Sequence, residues 1–318
     1  MRFPSVVPWQ AIAAAIIALQ LVGVVALMDQ APHLPPLDSY LIVSAVFSVG
    51  IAYPTAWLYL VFRRKPMPWR WVLGVCGGFA LVAVEWALIA WFKGMMAIVM
   101  GFTADEWLAD LDALLFFGDP WQHTHAFLGW ASGALDFAYI TWSPVKIATL
   151  MALILLPRTP ERNRLMIVYF LTVSLVTVLQ FSAPSAGPVF YQALGLGDRF
   201  ADMPLLPWVE ATSSYLWQEY QRPEMDFGTG ISAFPSMHVA IALWVAIVVR
   251  SQLPRLQILA WIFFAVVLVG SVHLGWHYAL DGVASILLVG ANVAIANRLT
   301  NLRFTPPVRA RSAPTARS

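Results

Sequence analysis

The chain has few charged residues and a single cysteine. Asp, Glu, Lys and Arg make up 11% of its 318 residues, far below the roughly 25% of an average soluble domain. The lone Cys76 excludes an internal disulfide framework and a cluster of thiolate metal ligands. The sequence contains neither a Walker loop nor a dinucleotide-binding glycine fingerprint. A net charge of +2 gives no reason to expect a nucleic-acid partner.

Hydrophobic residues, in contrast, make up 60% of the chain and are gathered in long runs. A helix needs about 20 apolar residues to cross a hydrocarbon core of about 30 Å. Runs of about this length predict an all-α fold, a polytopic membrane helical bundle with about eight transmembrane helices. The predicted spans are residues 8–28, 39–62, 71–99, 134–156, 165–183, 236–252, 256–272 and 277–297.

The distribution of Lys and Arg predicts the orientation of these spans. Of the 19 Lys and Arg residues, 15 precede the first span, follow the last, or lie in alternate loops or at their edges, as Arg250 does. The four exceptions are Lys93, Lys146, Arg199 and Arg222. By the positive-inside rule this side is cytoplasmic, so both termini should be inside the cell membrane. The first run has no small-residue cleavage site and is expected to be a retained span rather than a signal peptide.

The predicted domain organisation is one transmembrane domain over residues 1–300. Two outer loops, 100–133 and 184–235, are long enough to contribute to function. Residues 301–318 are rich in Arg, Pro, Ser and Ala and are predicted to be a disordered cytoplasmic tail.

The first outer loop has an amphipathic pattern that predicts a short interfacial helix ending before Gly118. The pattern predicts that its acidic residues lie on the opposite side from its large apolar residues. The apolar set is Trp107, Leu108, Leu111, Leu114 and Leu115, and the acidic set is Asp105, Asp110 and Asp112.

Two short stretches at the outer ends of spans hold residues suited to phosphoryl transfer. In the first, Phe-Pro-Ser-Met-His at 234–238, Ser236 is a suitable helix cap and His238 follows in the first turn. The free N–H groups of such a helix end bind phosphate oxygens. In the second, His277 and Asp281 have i, i+4 spacing, so the carboxylate can accept the imidazole N–H and leave the other ring nitrogen nucleophilic.

These motifs resemble those of the type-2 phosphatidic acid phosphatase superfamily, over roughly residues 134–297. The stretch 235–238 is similar to the superfamily's Pro-Ser-Gly-His motif, and His277 with Asp281 fits its His-x-x-x-Asp ending. Ser271 replaces an arginine of the last motif, and Pro-Ser-Met-His departs from the usual glycine. Together with the Pro-rich segment 183–188, these departures resemble the inositol phosphorylceramide synthase branch, an inositolphosphotransferase-like group.

The resemblance implies a six-helix phosphatase core preceded by two N-terminal helices, acting on a lipid phosphoester at the outer membrane face. It implies that His277 forms a phosphohistidine, that Asp281 orients it and that His238 is the general acid. The acceptor is water for a phosphatase, or a lipid or sugar alcohol for a phosphotransferase. No metal ion and no cofactor are implied. The candidate phosphate-binding residues are Ser236, Met237, Arg222 and His273.

The basic residues of the family's phosphate clamp are incomplete in this chain. In the superfamily a Lys is followed after six residues by Arg-Pro; here Arg222 is present, but Tyr215 stands in place of the lysine. Because this lysine is missing, an alternative is that the chain is a catalytically inactive relative that serves as a lipid-binding or transport protein. The i, i+4, i+8 spacing of His273, His277 and Asp281 leaves open a zinc enzyme or metal transporter.

Three ionisable residues lie within predicted spans, where charges are normally paired or functional. Glu85 and Lys146 both fall near the membrane midplane and are predicted to form an ion pair between neighbouring helices. Lys93 lies nearer the outer end of its span, where its ammonium group could approach a phosphate or extend to the lipid headgroups.

Overall fold

The computed structural model describes residues 7–31, 33–61, 69–222 and 230–301. Within these ranges the chain folds into α-helices and short 3-10 turns without a strand, which confirms the predicted all-α fold. The α-helices are α1 (Trp9–Leu27), α2 (Leu37–Val61), α3 (Trp69–Met100), α4 (Asp105–Phe116), α5 (Pro120–Leu128), α6 (Ser132–Ile140), α7 (Trp142–Leu155), α8 (Pro160–Ser182), α9 (Pro207–Gln221), α10 (Met237–Gln252), α11 (Gln257–His273) and α12 (Ala279–Thr300).

Seven helical stretches of the described residues are long and apolar enough to cross a membrane. They are α1, α2, α3, the continuous stretch from α5 to α7, α8, α11 and α12. The remaining predicted span, 236–252, forms the shorter apolar helix α10 of 16 residues. The protein is therefore a multi-pass membrane protein, and its described residues include seven long apolar segments and one shorter one.

The centre of the bundle is formed by α8 and α10. α10 packs against α7, α8, α11 and α12, and most of its side chains are buried. α8 packs against α1, α3, α10 and α12. Of the two N-terminal helices, α2 lies at the periphery and packs mainly on α3, whereas α1 packs on both α3 and α8. The residues that begin α10 therefore emerge from the most enclosed part of the fold.

The fourth apolar segment is longer than its predicted bounds of 134–156. It runs from residue 120 to residue 155 as a 36-residue stretch that contains α5, α6 and α7. The outer loop predicted at 100–133 is therefore mostly helical, since it contains α4, α5 and the start of α6. A turn at Thr141 separates α6 from α7, and its hydroxyl donates to the carbonyl of Ala138.

The prediction that Glu85 pairs with Lys146 is wrong. Glu85 is buried and accepts a hydrogen bond from the Ser174 hydroxyl at 2.6 Å, on the side of α3 that faces α8. The Lys146 ammonium lies over the Trp86 and Trp142 rings instead, 3.7 and 4.2 Å from their centroids. Successive helix residues point about 100° apart, so Glu85 and Trp86 face different neighbours.

The amphipathic helix α4 exists as predicted, and its acidic and apolar residues lie mostly on opposite sides; the exceptions are Leu108, which is buried, and Asp110, which is exposed. Asp105 and Asp112 are buried together with Leu108, whereas Trp107 and Leu114 are 46% and 73% exposed. Asp105 and Asp112 face inward because they accept hydrogen bonds from backbone N–H groups of other segments. The large apolar side chains that face outward suit a lipid surface.

Parts of the orientation prediction concern residues outside the described ranges. The tail predicted at 301–318 lies outside them from residue 302 onward, as do the basic residues Arg63, Arg64 and Lys65. The orientation of the helices in the membrane is therefore predicted from the sequence alone.

Candidate functional site

A cavity of about 380 Å³ lies between α3, α6, α7, α9 and the start of α10. Both His238 and His277 line it, so the fold brings the two sequence stretches to one site. Lys93 of α3 and Asp136 of α6 are the charged residues of the described chain that also line it. Most of the lining is aromatic or aliphatic, and the aromatic residues include Trp86, Tyr139, Trp142, Phe190, Trp208 and Trp276.

His277 lies in the turn before α12, and its ring is held by two acceptors. Nδ1 lies 3.0 Å from the carbonyl oxygen of Ala233 and 3.2 Å from Oδ2 of Asp281. A carbonyl oxygen can only accept, so the hydrogen-bond network assigns the proton to Nδ1. The lone pair of Nε2 is then free on the other side of the ring. The i, i+4 contact forms although α12 begins only at Ala279.

The Asp281 carboxylate that orients His277 is itself fixed. It is fully buried, and Oδ2 also accepts a hydrogen bond from the backbone N–H of Tyr278 at 3.0 Å. The carbonyl oxygen of Asp281 accepts from Ser285 Oγ at 2.7 Å and from Ser236 N at 3.3 Å. The first turn of α12 is therefore bonded directly to the cap of α10, which couples the positions of the two histidines.

His238 faces His277 across the end of the cavity. Its Nδ1 lies 3.4 Å from Nε2 of His277. Because that Nε2 carries a lone pair, the proton of this contact belongs to His238. The ring packs against Tyr139 and Trp142, with centroids 4.9 and 4.4 Å away, and the Trp142 indole N–H donates to the His238 carbonyl at 3.0 Å. These contacts leave the imidazole little freedom to turn.

The electrostatic surroundings favour a neutral His277. Burial is the main cause that lowers the pKa of His277 below its ordinary value, and the positive charge of Lys93 lowers this pKa further. The hydrogen bond to Ala233 acts in the opposite direction. A neutral imidazole at physiological pH keeps its Nε2 lone pair available for attack on an electrophile.

The N-terminus of α10 has the cap that the sequence predicted. The Ser236 hydroxyl accepts from the backbone N–H of Val239 at 3.2 Å, and the helix starts at Met237. In the described part of the chain, the backbone N–H groups of Met237 and His238 donate to no acceptor. This helix end can therefore offer two N–H groups and its positive dipole to an anion.

The N-terminus of α12, in contrast, is occupied by the protein's own carboxylates. Asp112 of α4 accepts from the N–H groups of Ala279 and Leu280 at 2.6 and 3.0 Å, while Asp281 accepts from Tyr278. Burial raises the pKa of Asp112 to about 6. Of these two helix starts, only that of α10 has unoccupied N–H groups that a phosphate could accept from, within the part of the chain that the structure describes.

The Pro-rich segment 183–188 lies directly behind the histidines. Its Ser185 accepts from Phe234 N through its hydroxyl, at 3.0 Å, and from Ala233 N through its carbonyl, at 2.8 Å. Ala233 is the residue whose carbonyl holds His277 Nδ1. The segment thus fixes the backbone that orients the candidate nucleophile.

Asp105 anchors this arrangement from α4, and sequence reasoning missed it. Its carboxylate accepts from the N–H groups of Ala186 and Gly187 at 2.9 and 2.8 Å and from the Tyr278 hydroxyl at 2.9 Å. Burial raises the pKa of this carboxyl, and the hydrogen bonds oppose that change. The seven-residue spacing from Asp112, which places both carboxylates on one face of α4, was the available signal.

Two of the predicted phosphate-binding residues are not brought to the cavity. Arg222 follows α9, is exposed, and is not among the lining residues, although Tyr215 is. His273 is buried at the end of α11, where its ring stacks on His125 with centroids 3.8 Å apart. Ser271 is buried and donates its hydroxyl to a carbonyl of its own helix. Among the described residues that line the cavity with the two histidines, the cation is Lys93 of α3.

The zinc alternative loses its geometric basis. α11 ends at His273 and α12 begins at Ala279, so the i, i+4, i+8 residues do not share one helix. The two ring nitrogens of His273 lie 2.8 Å from Ser132 Oγ and 3.2 Å from Thr124 Oγ1. Across residues 7–31, 33–61, 69–222 and 230–301, no group of three or more His, Cys, Asp or Glu side chains could hold a metal ion.

Gly187 allows the Pro-rich segment to approach the turn that holds His277. It has φ +99°, and a Cβ there would collide with the carbonyl oxygen of Trp276. We expect Gly187→Ala to lower the free energy of unfolding by about 1–3 kcal/mol more than Gly197→Ala. Gly197 is the matched control because its φ is +107° and its surroundings are open. Thermal unfolding in detergent measures both; equal losses would contradict a role for the close approach.

Comparison with known proteins identifies one family. Residues 106–295 match the PAP2 superfamily, the type-2 phosphatidic acid phosphatases. The match includes His238, His277 and Asp281 and leaves α1, α2 and α3 outside. No curated protein and no solved structure matches the chain significantly.

Proposed function

The chain belongs to the PAP2 superfamily, and on that premise we propose that it is a membrane lipid phosphatase or phosphotransferase that works through a phosphohistidine. The observation that carries the proposal is the arrangement of His277. Its Nδ1 is held by two acceptors while its Nε2 faces His238 in a cavity. This combination supplies a nucleophile, its orienting carboxylate and a second imidazole on the reacting side.

The first chemical step forms the phosphoenzyme. The Nε2 lone pair of His277 attacks phosphorus, the bond from phosphorus to the leaving oxygen breaks, and that oxygen takes a proton from the imidazolium form of His238. A negatively charged phosphoester beside His238 favours this protonated form. Nδ1 of His277 keeps its proton throughout, and the positive charge that develops on the ring is stabilised by Asp281.

The second step returns the enzyme to its starting state. His238, now neutral, accepts the proton of the attacking hydroxyl, a new oxygen–phosphorus bond forms, and the bond to Nε2 breaks. With a phosphomonoester substrate, water as the attacking group gives free phosphate. With phosphatidylinositol the group held on His277 carries inositol, so water gives inositol phosphate and a lipid alcohol gives a new phosphodiester. The residues that catalyse both outcomes are the same, so the acceptor depends on what the cavity admits.

The substrate that we propose is a membrane lipid phosphoester. Most of the cavity is lined by aromatic and aliphatic side chains, and its polar lining residues include Lys93, His238 and His277. Such a lining suits an amphiphile whose phosphate lies at the histidines. The inositol phosphorylceramide synthase-like branch is supported by the Phe-Pro-Ser-Met-His stretch, by Ser271, and by the Pro-rich segment 183–188 packed behind the site. On this proposal a phosphoinositol group is transferred to a lipid alcohol.

The proposed orientation places the histidines at the outer membrane face and both termini in the cytoplasm, following the distribution of Lys and Arg. Single cysteines introduced into the variant Cys76→Ser can test it. A cysteine at exposed Asp110, near the site, should react with an impermeant thiol reagent in intact cells, whereas one at exposed Arg255 should not. The reverse pattern would overturn the orientation.

A substrate panel tests the function. The purified protein is incubated in EDTA with phosphatidic acid, an isoprenyl diphosphate or phosphatidylinositol, each with and without ceramide or diacylglycerol. Free phosphate, or inositol phosphate from phosphatidylinositol, indicates water as the acceptor, and a new phospholipid without either product indicates a transferase. Lipid binding without product for every combination would contradict the proposal and support the inactive lipid-binding relative.

Replacing His238 with Ala tests the general acid. We expect turnover of an alkyl phosphoester to fall about 100- to 10,000-fold. A p-nitrophenyl phosphoester should lose much less, because its leaving oxygen needs no proton. Rates of phosphoenzyme formation from the two substrates give the comparison. Equal losses would show that His238 does not protonate the leaving group.

A further inference from the structure

One face of α3 forms a wall of the cavity, although α3 lies outside the part of the chain that matches the family. The lining residues Trp86, Ile89, Ala90 and Lys93 follow the spacing of a single helix face. Lys93 is the last of them and the only cationic one. Its position on this face directs it to the interior of the bundle, rather than to the lipid surface.

The backbone around Lys93 is closely packed. Gly230, at φ +99°, lies so near that a Cβ there would be 2.8 Å from the Cβ of Lys93. The segment that continues from Gly230 leads through Ala233 to the start of α10. Lys93 therefore packs against the backbone segment that positions both histidines, and it lines the same cavity as they do.

Lys93 has no counterion among the residues that the structure describes. Among the ion pairs within the described ranges, none includes its ammonium group. The one acidic residue among the lining, Asp136, instead accepts from the backbone N–H of Trp208 at the start of α9. A cation in a largely apolar cavity without a paired carboxylate is costly, and an anionic ligand would offset that cost.

Two hydroxyl groups of the same cavity are also without partners. The hydroxyls of Tyr139 and Ser232 are buried and form no hydrogen bond within the described residues. Both residues line the cavity, and the Tyr139 ring packs against His238. Buried polar groups are normally hydrogen-bonded, so unpaired donors that share one cavity indicate that a ligand supplies the acceptors.

A second lysine, Lys146, lies behind the residues that line the cavity. The Lys146 ammonium is held over Trp86 and Trp142, both of which line the cavity. Lys146 and Lys93 are close enough for their charges to interact. Like charges in an apolar setting repel each other, and an anion bound beside Lys93 would offset that repulsion.

We propose that Lys93, Tyr139 and Ser232 form a phosphate subsite beside His277, in which the ammonium and both hydroxyls bind non-bridging oxygens of the anionic phosphoester. Lys93 would supply the positive charge that the superfamily's motifs place at the positions of Tyr215 and Ser271. The free N–H groups of Met237 and His238 complete it. This inference depends on the proposed function for the identity of the substrate, but not for the binding of the anion.

The test measures the binding of orthovanadate to the full-length protein in detergent micelles by titration calorimetry. Lys93→Met is expected to weaken binding about 10- to 100-fold, because it removes a hydrogen bond from a charged donor. Tyr139→Phe and Ser232→Ala should each weaken it about 2- to 10-fold. Arg70→Met is the matched control: it removes a positive charge from an exposed position at the other end of α3 and should leave binding unchanged.

The outcomes separate this subsite from the proposed function. Absence of vanadate binding to the wild type, or equal binding by Lys93→Met and the wild type, would overturn the subsite. If Lys93→Met fails to fold, unchanged binding by both Tyr139→Phe and Ser232→Ala would do the same. Wild-type protein that binds vanadate through Lys93 but forms no phosphoenzyme would keep the subsite and overturn the proposed function.

Discussion

His277→Ala is expected to abolish the phosphoenzyme and to lower turnover by at least about 10,000-fold. The change removes the only ring nitrogen that the structure leaves with a free lone pair beside His238. Losses of this size follow when the nucleophile of a coupled catalytic unit is removed, because its partners cannot act without it. Asp281 and His238 would then be well placed around a side chain that can no longer attack.

Trapping of phosphate from a radiolabelled lipid phosphoester measures this effect. A bond between phosphorus and imidazole nitrogen is lost in acid and survives in alkali, which distinguishes it from a serine or threonine ester. His33→Ala is the control, since the His33 side chain is exposed and only its backbone carbonyl accepts a hydrogen bond, from Trp91. Label that persists in His277→Ala would assign the nucleophile to another residue.

Asp105→Ala is expected to destabilise the fold by about 3–5 kcal/mol. It leaves two buried backbone N–H groups, of Ala186 and Gly187, and the Tyr278 hydroxyl without their acceptor. Each such group costs about 1–3 kcal/mol when it cannot find a new partner. The same change detaches the Pro-rich segment from the residue next to His277, so the rate of phosphoenzyme formation should fall as well.

Two variants separate this effect from a simple loss of charge. Asp110→Ala, on the same helix, removes an exposed carboxylate that pairs with Arg199, and should cost less than about 1 kcal/mol. Asp105→Asn keeps an acceptor oxygen in place and should recover much of the stability and the phosphoenzyme rate. A stable Asp105→Ala protein with normal phosphoenzyme formation would show that the anchor is dispensable.

Local patterns were sufficient to predict most helices. The apolar runs predicted the long spans, because a run of about 20 such residues has few alternatives to a membrane helix. Ser236 was predicted as the cap of α10, and its hydroxyl does accept from Val239. The i, i+4 spacing likewise predicted the contact between His277 and Asp281, since both residues are close in the chain.

The faces of the helices were less predictable. Trp107 and Leu114 are exposed while Asp105 and Asp112 are buried, the reverse of a helix that packs its apolar side on a protein core. In a membrane protein the surrounding lipid accepts apolar side chains, so hydrophobicity alone does not show which side faces the protein. The buried side is instead the one whose carboxylates find N–H groups on distant segments.

The sequence by itself determined that this is a multi-pass helical membrane protein of the PAP2 superfamily with His238, His277 and Asp281 in its family motifs, because hydrophobic length and short motifs are local properties. Only the tertiary structure decided which charges reach the cavity. Lys93 faces it, whereas Arg222 and His273 do not line it. The reason is physical: which donors and acceptors meet depends on the packing and rotation of helices far apart in sequence, such as α3 and α4 against α10 and α12.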